Sequence, residues 1–380
     1  MPGNSIGHVF RLTTFGESHG PAIGGVLDGC PAGLRLDLDA VQQELDRRRP
    51  GSTPLGTTRN EADRVEWLSG VLDGITLGTP IAFFIRNSDA RSDDYDALKD
   101  VYRPGHADFT WEGKYGLRDH RGGGRSSART TAACVVGGAI ARQLLANEGV
   151  KVQAYVHAVG EVAMDAPVED AATAWTNDVR CPDAAVAARM KELIEQVRAE
   201  GDSVGGVVSC RVTGMPVGLG EPVFDKLDAD LAKAMLSINA AKGFQIGSGF
   251  GGARLRGSQN NDELFMGWRD EHHTGLPEGA LVQRPAARSF TNHAGGTLGG
   301  LSNGEDLLFD VAFKPPSTIG KAQRTVTREL EEVTLEAKGR HDPCVVPRAV
   351  PIVEAMACLV IADHLLRQRL ARLGALDERW

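Results

Sequence analysis

Large apolar residues recur at every second position from Leu307 to Phe313, so Leu307, Phe309, Val311 and Phe313 share one face of an expected strand. Val152 to Val159 and Gly206 to Val212 are shorter candidates of the same kind. Other stretches carry the helical period. Between Asp37 and Arg49, Val41 and Leu45 fall on one side, Asp39 is placed to cap, and Pro50-Gly51 ends the helix. Ser126 to Leu145 is small or apolar almost all round and follows Gly122 to Gly124, which predicts a buried helix. Ala184 to Glu200 puts Val186, Met190, Leu193 and Val197 on one stripe with charges opposite, which predicts a surface helix stopped by Gly201. Further helices are expected over Asp225 to Ile238 and from about Pro347 to Leu373, the latter apolar first and basic afterwards. The result is an α+β chain. No fixed repeat and no long polar linker divides it, so residues 1–380 are expected to form a single domain.

Composition narrows the class. With 42% hydrophobic residues among 380, a substantial core is available. The 46 glycines and 18 prolines are dispersed, which points to many backbone-lined loops rather than a low-complexity tract. A formal charge of −8 argues against nucleic acid or an anionic membrane as partner, since both need surplus positive surface. The longest uncharged, largely apolar run, Thr130 to Ala141, is far shorter than the ~20 residues of a membrane span. Met1 to Phe15 lacks the apolar block of a secretion signal. Six scattered cysteines without a C-x-x-C pair suit reduced thiols in a cytoplasm.

Six stretches concentrate chemistry. Thr14-Phe15-Gly16-Glu17-Ser18-His19-Gly20 sets an acid, a hydroxyl and an imidazole between glycines, either as a proton-transfer loop or as a polar turn. Arg103-Pro104-Gly105-His106-Ala107-Asp108 repeats the theme, and soon afterwards Arg118 to Arg129 brings three glycines, hydroxyls and arginines to an expected helix N-terminus. Bare amides, a helix dipole and arginines make an anion site. Arg47, Arg48 and Arg49 crowd the end of the first helix; one or two suffice to complement its dipole, which leaves a third for an anion pocket. Gly339-Arg340-His341-Asp342-Pro343-Cys344 offers Asp342 as a base or, equally, as a cap for the long helix. Lys314-Pro315-Pro316-Ser317-Thr318, after the strongest strand, is either a phosphate clamp or a solvated turn.

Two motifs are set aside. Gly247 to Gly252 satisfies G-x-G-x-x-G, but no convincing strand precedes it and no clear helix follows, so a dinucleotide site is not expected. His272-His273 stands in a polar stretch, Trp268 to Pro285, read as an exposed loop, and adjacent imidazoles rarely converge on one ion. No metal is expected.

Taken together, and in this order, the motifs resemble those of the chorismate synthase family. The resemblance runs through Gly3 to Gly7, Thr13 to Gly20, Asp46 to Gly51, Arg103 to Asp108, Gly122 to Arg129, Gly218 to Pro222, Ser237 to Ala240 and Gly339 to Cys344. It implies a compact β-α-β sandwich, a homotetramer, and elimination of phosphate from 5-enolpyruvylshikimate 3-phosphate with reduced flavin mononucleotide and no net oxidation. By the same resemblance the flavin meets Arg125, Ser126, Ser127, Asn239, Ala240, Gly299, Lys314, Pro315, Pro316, Ser317, Thr318 and Arg340, while Arg48, Arg49 and Arg129 surround the substrate's anionic groups. His19 is similar to the proton donor to the departing phosphate, His106 to the group that steadies the reduced flavin, and Asp342 to the carboxylate that relays a proton from C6 by way of the flavin. No extra reductase domain is evident, so NADPH is expected only as an indirect reductant. The chain departs from the family pattern at Pro54, Thr130, Cys134, Gln245 and Pro316, and the stretch 264–289 is longer than usual. Altered loop contacts with intact chemistry are expected from these. A flavin- or anion-binding protein without turnover, and a nicotinamide-dependent oxidoreductase, are the rival readings.

Overall fold

The structure is a computed structural model that describes residues 3–56, 62–88, 98–272, 281–336 and 342–371. Two five-stranded antiparallel sheets enclose a layer of helices. The first runs in the order Ser5–Ile6, Arg11–Gly16, Ala22–Asp28, Ile81–Arg86, Val65–Trp67. The second runs Ala241–Ile246, Leu307–Phe313, Gly206–Thr213, Lys151–Val159, Val162–Ala163. In the strand Leu307–Phe313 the expected face is kept, with Leu307, Phe309, Val311 and Phe313 buried.

Helix α1 (Leu38–Arg48) packs against helix α3 (Thr131–Ala146), and α3 lies between the first sheet and the long helix Val346–Gln368. The long helix in turn packs on the strands Lys151–Val159 and Gly206–Thr213. The layering is therefore sheet, paired helices, sheet: the expected α+β sandwich. Close approach of the two central helices depends on Gly138, where an added Cβ would stand 2.4 Å from Ala355 Cα. The long helix is apolar enough, over 23 residues, to meet the composition of a membrane span, but its apolar window is entirely buried inside the protein. Its buried Glu354 accepts from Arg142 of α3 at 2.7 Å and from the amide of Ala154 at 2.8 Å, so the charge is partnered from both sides.

Several local expectations shift. Helix α1 is capped by Asp37, whose carboxylate accepts from the Ala40 amide, and Asp39 falls inside the first turn. Residues before Thr131 form two 3-10 turns, Gly124–Ser126 and Ala128–Thr130, because glycine and serine caps break the α-ladder there. Helix α4 (Ala184–Ala199) is amphipathic as expected, but rotated: Ala187, Met190 and Ile194 are buried, with Val186, Leu193 and Val197 half-buried beside them. The supposed exposed loop at 268–285 belongs to a hairpin, Leu264–His272 paired with Leu281–Ser289, in which Pro285 stands opposite Trp268. A two-stranded ribbon has two free edges, so a proline there need not break a ladder. The long helix ends at Gln368, and Leu373 lies outside the described residues.

Candidate active site

Arg48 sits at the end of α1 on the face of Val41 and Leu45, so the middle arginine of three turns inward and is 1% exposed. Its neighbours do not. Arg47 pairs with Glu44 at 2.7 Å and lies over the Trp175 ring, and Arg49 reaches toward Asp46, 4.0 Å away. Arg48 donates from Nε to Thr131 Oγ1 (3.2 Å), from Nη2 to the Ala128 carbonyl (2.7 Å) and from Nη1 to Asp63 Oδ2 (3.3 Å). Burial pushes this guanidinium down to about 10; Asp63 opposes the shift, and Arg348 and Arg129 add to it. It remains a cation at neutrality. Arg129, also buried, donates Nη1 to the other oxygen of Asp63 and Nε to Asn87 Oδ1 at 2.9 Å.

The loop Gly122 to Gly124 has positive φ at all three residues. A Cβ at Gly122 would stand 2.2 Å from the His19 ring, and one at Gly123 would stand 3.0 Å from the His106 ring. Only glycine lets the backbone run along both imidazoles. His19 Nδ1 lies 3.2 Å from Ser18 Oγ. His106 Nδ1 lies between Arg103 Nη2 (3.0 Å) and Asp108 Oδ1 (3.1 Å). Asp108 opens helix α2 (Asp108–Tyr115) and is gripped by Arg103 through two bonds of 2.8 Å. Burial would raise its carboxyl, but Arg103 and His106 outweigh burial and hold it well below the usual carboxylate range.

Across from these, Asn239 and Ala240 join helix α5 (Leu227–Leu236) to the strand Ala241–Ile246. Ala240 holds a φ of +68°, a strained value for a residue with a side chain, and its carbonyl accepts from the Lys314 amide at 2.9 Å. Asn239 Nδ2 donates to the Ser126 carbonyl at 2.7 Å, and Lys314 Nζ to the Gly105 carbonyl at 2.6 Å, so the His106 loop, the glycine loop and the Lys314 turn are tied together. Asp342 accepts from Arg348 Nη1 at 2.5 Å. It does not cap the long helix, whose N-cap position is Val345.

These groups converge on one cavity of about 390 Å³. His19, His106, Asp342, Arg48 and Arg129 all line it, as do Ser126, Ser127, Asn239, Ala240 and the whole turn Lys314, Pro315, Pro316, Ser317, Thr318. Three expected residues stand elsewhere. Arg49 turns to Asp46, Arg125 donates to Gly16, Asn4 and Thr14 on the first sheet, and Gly299 occupies the turn between Thr297–Leu298 and Leu301–Ser302. Arg340 lies outside the described residues. Two contributors were not proposed from the pattern. Arg348 was legible as a single cation in an otherwise apolar run, whereas Asp63 follows a polar stretch that singles out no residue. With Arg48, Arg129, Lys314 and Arg348 against Asp63 and Asp342, four cations meet two carboxylates, an excess of two positive charges suited to an anion.

Of the departures, only Pro316 lines the cavity, and its carbonyl accepts from Ser203 Oγ at 2.6 Å. Gln245 donates to Asp310 at 2.9 Å, Thr130 to the Ser127 carbonyl at 2.9 Å, and the Pro54 carbonyl accepts from Arg198 at 2.9 Å, while Cys134 is half-buried. The G-x-G-x-x-G stretch does follow a strand, Ala241–Ile246, and opens a four-residue helix at Gly249. That strand nevertheless pairs antiparallel with Leu307–Phe313, which is not the parallel unit a dinucleotide fold needs. Among the described residues no group of three or more His, Cys, Asp or Glu could hold a metal, and His273 lies outside them.

A chorismate synthase family profile matches residues 10–366. Relatives named chorismate synthase include that of Chloroflexus aggregans, 56% identical over 374 residues with 98% of each chain covered. That of Christiangramia forsetii is 51% identical over 375 residues, covering 98% of this chain and 100% of the relative. A crystal structure of chorismate synthase superimposes with a TM-score of 0.72 at 32% identity, covering 96% of this chain and 93% of that one. Because the match runs from the second strand of the first sheet almost to the end of the long helix, it takes in both the layers and the cavity between their loops, and the chain belongs to the chorismate synthase family.

Proposed function

We propose that this cavity is where the chain performs the family's reaction, loss of phosphate from 5-enolpyruvylshikimate 3-phosphate to give chorismate, a carbon–oxygen lyase step. The observation that carries the assignment to the cavity is the meeting of two imidazoles and a carboxylate in a space with surplus positive charge. Arg48 and Arg129 would bind and orient the substrate's anionic groups. His19 would give a proton to the departing phosphate, and Asp342 would take up the proton lost from C6, so the proton count closes once the two exchange with solvent.

The residues present fit reduced flavin mononucleotide. The cavity wall includes the uncharged Ala128, Ala240, Pro315, Pro316 and Val345, suited to a planar ring, while Ser126, Ser127, Ser317, Thr318 and Lys314 offer polar and cationic groups for a phosphate. When bound, the flavin's contribution would be a reversible loan of electron density to the breaking carbon–oxygen system. His106, pinned at Nδ1, would hold a fixed ring against it. NADPH would act only through an external reductant. A homotetramer is supported by large exposed apolar side chains, among them Phe224, Phe250, Met266 and Phe290, and a cytoplasmic setting by six free cysteines.

The test is phosphate release from 5-enolpyruvylshikimate 3-phosphate with anaerobically pre-reduced flavin mononucleotide. His106→Ala and Asp342→Asn should each lower turnover by ~10²- to 10⁴-fold with folding retained. Near-normal turnover in either variant removes the role given to that residue, and no phosphate release by the folded parent removes the cavity reading.

A further inference from the structure

We infer that Asp63 is a positioning residue whose one carboxylate fixes the spacing of Arg48 and Arg129, so that their remaining N–H groups act as a single anion clamp. The inference rests on the reading that the cavity takes the phosphorylated acid. A guanidinium has five N–H donors. Arg48 gives three to Thr131, the Ala128 carbonyl and Asp63, and Arg129 gives three to Asn87, the Arg86 carbonyl and Asp63. Among the described residues two remain on each, and both side chains line the cavity.

The manner of the pairing separates positioning from plain neutralisation. Asp63 divides its oxygens between arginines from different elements, Oδ2 to the end of α1 and Oδ1 to the turn Ala128–Thr130, and its side chain is fully buried. Its backbone is held at a φ of +44°, an uncommon left-handed value, and its carbonyl accepts from Gln42 Nε2 at 2.9 Å. A carboxylate fastened at both backbone and side chain sets the distance between two like charges that would otherwise separate.

Steady-state kinetics with 5-enolpyruvylshikimate 3-phosphate and pre-reduced flavin mononucleotide test this, with folding followed by circular dichroism. Asp63→Asn, which keeps the shape and loses the charge, should raise KM about tenfold or more while kcat changes less. Asp63→Glu keeps the charge but displaces it, and should raise KM about fivefold, whereas a merely neutralising carboxylate would be rescued by glutamate. A folded variant of either kind with KM near the parent value overturns the inference. If Asp63→Asn does not fold, Asp63→Glu decides, and failure of both to fold assigns Asp63 to stability alone and overturns it too. Arg129→Met separates the two levels. Its KM should rise; an unchanged KM removes the cavity reading itself, while a raised KM beside unaffected Asp63 variants removes only the role of Asp63.

Discussion

His106 meets Arg103 and Asp108 through the same ring nitrogen, so the orientation of the imidazole depends on a carboxylate two residues along the chain. That dependence was partly legible: His106 and Asp108 stand two apart beside an arginine, though nothing in the spacing says the three close on one another. Asp108 is nearly buried, and removing one partner of such a pair leaves a guanidinium uncompensated, so Asp108→Asn should destabilise the fold by about 3 kcal/mol near neutrality. The folded carboxyl lies below its unfolded value. Its contribution is therefore present above the unfolded pKa of ~3.9 and is lost as the pH falls below that, so parent and variant stabilities should converge in acid. Urea melts between neutral and acidic pH measure this, and a gap that widens in acid would contradict it. Among the arginines, the inward position of Arg48 follows from its place on the Val41 and Leu45 stripe. The destination of Arg125 does not follow from its neighbours in sequence, since it bonds to Gly16 and Thr14 more than a hundred residues away, whereas Arg49 is drawn to Asp46 three residues before it.

At the level of elements, strands with one large apolar face and helices with one apolar stripe kept their expected bounds to within a few residues, because burial of one face selects one period. The misreadings lie where local chemistry competes with that period: serine caps before α3, a proline in the Leu281–Ser289 strand, and a strand ahead of Gly247 that is only half-buried and so lacks the signature. The crossing of α3 and the long helix shows what small residues contribute. Gly138→Ala would press a methyl into Ala355 backbone, and should cost about 1–3 kcal/mol, read as a lowered Tm. A Tm equal to the parent's would mean that the helices separate freely. Because that crossing lies away from the cavity lining, KM should change less than stability does.

Across the whole molecule one cluster of buried residues runs from Phe10 to Leu366, with both sheets and the central helices contributing. A core shared in this way should unfold in one cooperative step, and two well-separated calorimetric transitions would argue for independent domains. Layer composition, the buried character of the central helices and the loops rich in glycine, histidine and arginine were all present in the linear order, because periodicity and residue chemistry are local properties. The family resemblance added expectations for the roles of individual residues. Which of those loops meet was another matter. Arg129, Asn239, Lys314 and Asp342 come from segments far apart in the chain, and they share a cavity, with Asp63 paired to Arg129, only because two sheets close over one pair of helices. Charge balance and hydrogen-bond partnership depend on distances between such segments, so only the packed chain decides that a lone aspartate in a polar stretch becomes the buried link between two arginines.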